Sequence, residues 1–108
     1  MYNPRYRSHF TKDIKNFRRK KDKKSINIIQ KGIENLLLPD PYNNSESLTG
    51  PLKGKRKYKK SDVRIIFAIC EECRKLGHTP LNGCNDCSSY EDNTLMFFKT
   101  GLRGNIYE

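Results

Sequence analysis

Two cysteine pairs carry the plainest chemistry in this chain, Cys70-x2-Cys73 and Cys84-x2-Cys87, with ten residues between them. Each pair can place two thiolates on one ion, and two such knuckles complete a tetrahedral zinc site with Zn–S bonds of about 2.3 Å. Four sulfurs leave no open coordination position, so the zinc expected here is structural. Disulfide or redox chemistry is the competing reading, although the pairs follow no βαβ pattern of the redox kind. His78 lies between the pairs and could replace one sulfur, but a lone histidine beside four available thiolates reads as a bystander. The second feature is Arg64, which opens the otherwise apolar run Val63-Arg64-Ile65-Ile66-Phe67-Ala68-Ile69. A buried guanidinium needs an anion or a set of acceptors, so this position either binds a phosphate or makes a structural pair with Asp62, Glu71 or Glu72. Immediately upstream stands the densest basic run, Lys53-Gly54-Lys55-Arg56-Lys57-Tyr58-Lys59-Lys60. It reads as a phosphate-seeking surface, or as an edge strand protected from aggregation by its lysines.

These residues need elements to hold them. Val63 to Ile69 is apolar on both alternating faces and rich in β-branched residues, which predicts a buried central strand. The basic run alternates as a strand with Tyr58 inward, and Ser61-Asp62 makes a tight connection between the two. Thr94 to Thr100 predicts a second apolar strand closed by Gly101. The cysteine module at 70–93 then falls between consecutive strands and reads as an elaborated turn stapling a thin core. Upstream, Arg5 to Phe10 predicts a short edge strand. From Thr11 as N-cap, Phe10, Ile14 and Phe17 recur at helical spacing. Asp22 or Ser25 caps a second helix, whose stripe is Ile26, Ile29, Ile33 and Leu36 or Leu37. Pro39-Asp40-Pro41 ends it, and a polar surface loop follows from Tyr42 to Gly50.

Composition bounds the function. A chain of 108 residues with 34% hydrophobic content suits one domain, 1–108, with a thin core. A net charge of +10 and a pI near 9.6 favour an acidic partner, with nucleic acid first, an acidic protein second and an anionic membrane third. No apolar leader follows Met1, and no stretch approaches the ~18 apolar residues of a membrane span. A cytoplasmic protein without a membrane partner is therefore expected. In a reducing compartment the paired cysteines favour metal over disulfides. Arg18 to Lys24 has no apolar member and reads as an exposed helix junction with a general attraction for RNA.

The order of elements and the pattern Leu52-Lys53-Gly54, then Tyr58, then Val63-Arg64-Ile65-Ile66-Phe67, ending in Gly101-Leu102-Arg103-Gly104-Asn105-Ile106-Tyr107, resembles the RelE/ParE superfamily of toxin–antitoxin toxins. The resemblance covers nearly the whole chain except residues 70–93, where that family has a short turn. It implies an α+β fold, with an N-terminal strand and a helical hairpin packed on a twisted antiparallel sheet. The cysteines would form a zinc-ribbon-like insertion in that fold. Its RelE branch contains ribonucleases that cut mRNA on the ribosome and are held inactive by an acidic cognate antitoxin. By motif, the catalytic positions of that branch fall on Lys55, Lys57, Arg64, Arg103 and Tyr107.

That carry-over suits the chemistry of metal-independent RNA cleavage, which needs a base for the 2′-hydroxyl, cations for the phosphorane and an acid for the leaving oxygen. Arg64 and Arg103 are the expected cations, and Lys55, Lys57 or Tyr107 the proton carriers. Lysine and tyrosine ordinarily ionise near pH 10, so a base among them needs positive neighbours. Two alternatives remain open. One is a non-catalytic ParE-like toxin acting on a protein target such as a topoisomerase; the other is a small zinc-ribbon nucleic-acid-binding protein.

Overall fold

The computed structural model describes residues 1–76 and 90–104. Its framework is a five-stranded sheet with the spatial order β1-β5-β4-β3-β2. The strands are β1 (Asn3–Tyr6), β2 (Glu46–Ser47), β3 (Arg56–Lys60), β4 (Val63–Ile69) and β5 (Thr94–Leu102). The apolar run expected to be central is central: every residue of β4 is buried, between β3 and β5 in antiparallel ladders. Ser61 and Asp62 make the β3–β4 turn, with Ser61 taking the left-handed conformation at φ 53°. The N-terminal strand joins the edge of the antiparallel set in parallel: β1 pairs with β5, Asn3 against Thr94 through Tyr6 against Phe97.

Helix α1 (Ser8–Arg19) starts earlier than the predicted cap at Thr11. Arg7 is the N-cap, in extended conformation, and the strand expected over Arg5 to Phe10 lies instead at Asn3–Tyr6. The reason is packing. Phe10 is 3% exposed and shares the helical stripe with Ile14 and Phe17, while Tyr6 stacks on Phe97 at 5.4 Å from the strand side. Asp22 caps α2 (Lys23–Gly32), accepting the Ser25 N–H at 3.1 Å and the Ser25 hydroxyl at 2.8 Å. These bonds hold its carboxyl below the usual aspartate range. A wider π-type turn, Ile33–Leu37, ends the hairpin and chooses between the two candidate leucines: Leu37 is fully buried and Leu36 is 39% exposed.

The hairpin covers one face of the sheet. Val63, Ile65, Phe67 and Ile69 from β4 meet Phe10, Phe17, Ile29, Ile33, Leu37 and Tyr58 there in one core cluster. Tyr58 points inward as its alternation predicts, and burial raises the pKa of its phenol. The polar loop after α2 contains the short strand β2, which pairs Glu46 with Lys57 and Ser47 with Arg56. Gly101, expected to close the last strand, lies within β5. After β4 the chain turns directly into α3 (Cys70–Lys75). Among the described residues no helix is long and apolar enough to cross a membrane.

Candidate nucleic-acid interface

Strand alternation sends Arg64, Ile66 and Ala68 to the sheet face away from the hairpin. Their partners across the ladders build the candidate site in rows. Lys57 and Lys99 flank Ile66, and Lys59 and Gly101 flank Arg64. Arg103 lies one row further, its N–H donating to the Asp62 carbonyl at 2.7 Å. By register Arg103 is diagonal to Arg64, two residues past its partner Gly101 and one beyond the end of β5; diagonal neighbours in a sheet stand about 7–8 Å apart, within reach of two long side chains. Gly101, the β5 partner of Arg64, contributes no side chain between Lys99 and Arg103.

Arg64 is 9% exposed and pairs with none of the carboxylates expected for a structural role. Its Nη1 donates to the Ser61 carbonyl at 2.8 Å and the Val63 carbonyl at 3.0 Å. Among the described residues nothing accepts from its Nε or Nη2. Two of those three acids are engaged elsewhere, Glu71 with Lys75 and Glu72 with Arg56. A guanidinium fixed through one nitrogen by neutral carbonyls keeps its charge and two donor directions for an anion.

Lys55 and Lys57 differ in situation. Lys55 precedes β3, and its ammonium stands 4.4 Å from the centre of the Phe98 ring, reaching across the far face toward β5. Lys57 lies within β3, with its ammonium 3.6 Å from Glu46, whose other oxygen is 3.8 Å from Lys59. One exposed carboxylate therefore serves two lysines of this face. The basic run is not uniform, however. Arg56 points the other way, is 8% exposed, and bonds Glu72, Ser45 and the carbonyls of Tyr42 and Ser45. It is a structural arginine inside a functional-looking run. Arg103 is exposed, and Tyr107 lies outside the described residues.

Of the expected zinc ligands, Cys70 and Cys73 sit one helical turn apart on α3, the spacing that puts both on one side of a helix. Both are buried, and neither forms a disulfide with the other. Cys84 and Cys87, like His78, lie outside the described residues. Among the described residues no group of three or more potential ligands occurs.

The structure also adds residues to the site that were not singled out. Lys59 follows from the same alternation that points to Lys57. Lys99 needed the β5 register, which is shifted by a bulge where Ile66 faces Lys99 and Phe67 faces Phe97. Glu46 needed β2, too short to be read from sequence.

No family model matches the sequence, and no curated protein does either. Solved structures do. The chain aligns with the toxin–antitoxin complex RelBE2 from Mycobacterium tuberculosis at a TM-score of 0.64 and 14% identity, over 94% of this chain and 98% of that one. YafQ from E. coli gives 0.58 and 18%, over all of both chains. The E. coli DinJ-YafQ toxin-antitoxin complex gives 0.57 and 19%, over 99% of this chain and 98% of that one. The fold is therefore of the RelE type.

Proposed function

We propose that this chain is the toxin of a toxin–antitoxin pair and a metal-independent endoribonuclease acting on mRNA, with ribosome-bound message as its substrate. The observation that carries the reading is Arg64, nearly buried and held, among the described residues, by carbonyls, with Arg103 diagonal to it and the β3 lysines alongside. Two of the similar structures are toxin–antitoxin complexes, which supports an antitoxin partner here. The excess of basic residues favours an acidic one, bound by attraction that weakens with salt. Cytoplasmic action belongs to the same reading.

In this reaction the ribose 2′-oxygen forms a bond to the adjacent phosphorus, the bond from phosphorus to the 5′-oxygen breaks, and a 2′,3′-cyclic phosphate and a 5′-hydroxyl result. One proton leaves the 2′-hydroxyl and one reaches the departing oxygen. Arg64 and Arg103 bind the phosphate and stabilise the charge that grows on its oxygens. Lys55, Lys57 and Tyr107 are the candidates for moving the protons, and Lys59 and Lys99 extend the phosphate track.

Single-turnover cleavage of ribosome-bound message, measured beside RNA binding, tests the assignment. Arg64→Ala or Arg103→Ala should slow cleavage about 10²-fold or more with a much smaller effect on affinity. Lys20→Ala or Lys21→Ala should chiefly weaken binding and its salt dependence. Equal losses of binding and cleavage in the arginine variants would instead make the surface a basic binding platform.

The same reading gives the chain one structural zinc on Cys70, Cys73, Cys84 and Cys87. Buried thiols one turn apart on α3 support it. Metal analysis should find about one zinc per chain, and chelation should loosen α3 before the α1–α2 hairpin. A folded, zinc-free protein rejects this assignment.

A further inference from the structure

Strand β1 covers the outer edge of β5 only as far as Phe97, where the Arg7 N–H closes on the Phe97 carbonyl at 2.9 Å. Beyond that point the edge has no neighbouring strand among the described residues, and β5 has just passed its bulge opposite Ile66 and Phe67. A bulge bends a strand and interrupts its ladder. The end of β5 that carries Lys99 and Gly101 and leads into Arg103 is therefore the part of the strand with the weakest reason to hold its position relative to Arg64.

Two side chains restore that position. Asp13 on α1, 15% exposed at its side chain, accepts the Thr100 N–H at 3.0 Å and is itself steadied by His9 at 3.0 Å. A carboxylate taking a backbone N–H at the edge of a strand makes a charge-assisted bond. Thr100, 4% exposed, then donates its hydroxyl to the Arg64 carbonyl at 2.7 Å. A continuous hydrogen-bonded path thus runs from α1 through β5 to the backbone of Arg64. Neither side chain reaches the far face, so neither touches RNA there.

We infer that Asp13 and Thr100 are positioning residues, which fix the Arg64 guanidinium and its spacing to Arg103 for the transition state. This role rests on the endoribonuclease reading above, but the path itself can be tested without it. Thr100→Val keeps the shape of the side chain and removes the donor, whereas Thr100→Ser keeps the donor. The Arg64 Nε–H resonance should shift or broaden in Thr100→Val and in Asp13→Ala, and should return to its parental position in Thr100→Ser. In single-turnover cleavage at saturating RNA, Thr100→Val should be about tenfold slower, with affinity changed by less than about twofold and with rescue by Thr100→Ser. In an Arg64→Ala background Thr100→Val should slow cleavage no further, because the interaction it serves is already gone.

An unmoved Arg64 Nε–H resonance in Thr100→Val overturns the inference, as does an equal slowing by Thr100→Val with and without Arg64. A parent protein that cuts no RNA counts against the proposed reaction instead. The resonance then decides whether Asp13 and Thr100 position Arg64.

Discussion

Glu72 on α3 holds Arg56 on β3, with 2.8 Å between Oε2 and Nη1, so the helix that carries the first cysteine pair is tied to the strand that carries the lysines. The pair is largely shielded, with side chains 10% and 18% exposed, and the other Glu72 oxygen is buried without a described partner. Removing one member of such a pair leaves the other charge poorly solvated. Glu72→Ala should therefore lower unfolding stability by roughly 3 kcal/mol, measured by denaturant titration. A change within about 0.5 kcal/mol would mean that Ser45 and the two carbonyls satisfy Arg56 unaided.

Glu46 occupies Lys57 and Lys59 where the proposed reading puts RNA phosphates. Its carboxylate is 60% exposed, so the pairs stabilise little, but they compete directly with an incoming anion. Glu46→Gln should tighten RNA binding about two- to fivefold at low salt, and the gain should shrink as salt rises. Filter binding across a salt series measures both. Weaker binding in the variant would show that Glu46 arranges the lysines and does not compete for them.

Gly32 faces the ring of Tyr58, and a Cβ placed there would stand 2.7 Å from Cε2 and 2.9 Å from the hydroxyl oxygen. Alanine favours a helix interior over glycine by up to about 1 kcal/mol. Overpacking against a buried ring costs about 1–3 kcal/mol, and Tyr58 is 5% exposed. The clash should win. Gly32→Ala is expected to melt below the parent, and a higher melting temperature would refute the packing argument.

Asp22 has its carboxyl pKa lowered mainly by the Ser25 hydroxyl, then by the Ser25 N–H. A depressed folded-state pKa means that the cap contributes fully above the unfolded aspartate value, near pH 4, and is lost as pH falls through the lower folded value. The melting difference between the parent and Asp22→Ala should be full at neutral pH and should close as pH drops below 4. Asp22→Asn keeps an N-cap acceptor, so its difference from the parent should be small and should fall most where the native carboxylate protonates.

Much of this arrangement is legible from one sequence. The strand Val63 to Ile69 declares itself by unbroken apolar character, the Ser61-Asp62 turn by its length between two strand patterns, and the hairpin by its stripes. What stays hidden is long-range. Asp13 and Thr100 are 87 residues apart, and no local pattern relates an aspartate in a basic helix to a threonine in an apolar strand. Arg56 misleads for a similar reason: its alternation with Lys55 and Lys57 places it on the opposite face, yet the acceptors that make it structural come from a loop and a helix on either side. The start of α1 at Ser8 is not legible locally, because Phe10 suits a strand end or a helix stripe equally and only the partner surface decides.

The pairing of β1 with β5 has a consequence for the order in which the protein comes into being. Asn3 to Tyr6 are made early but have no ladder partner until Thr94 to Phe97 exist, so closing the sheet joins segments separated by most of the chain, and contacts of such separation form late. The same last strand supplies Thr100 and Gly101 and leads into Arg103. A nascent polypeptide that has not reached β5 therefore carries Arg64 without its anchor or its diagonal partner. On the reading proposed here, the translating ribosome holds an incomplete nuclease until the final strand has left it.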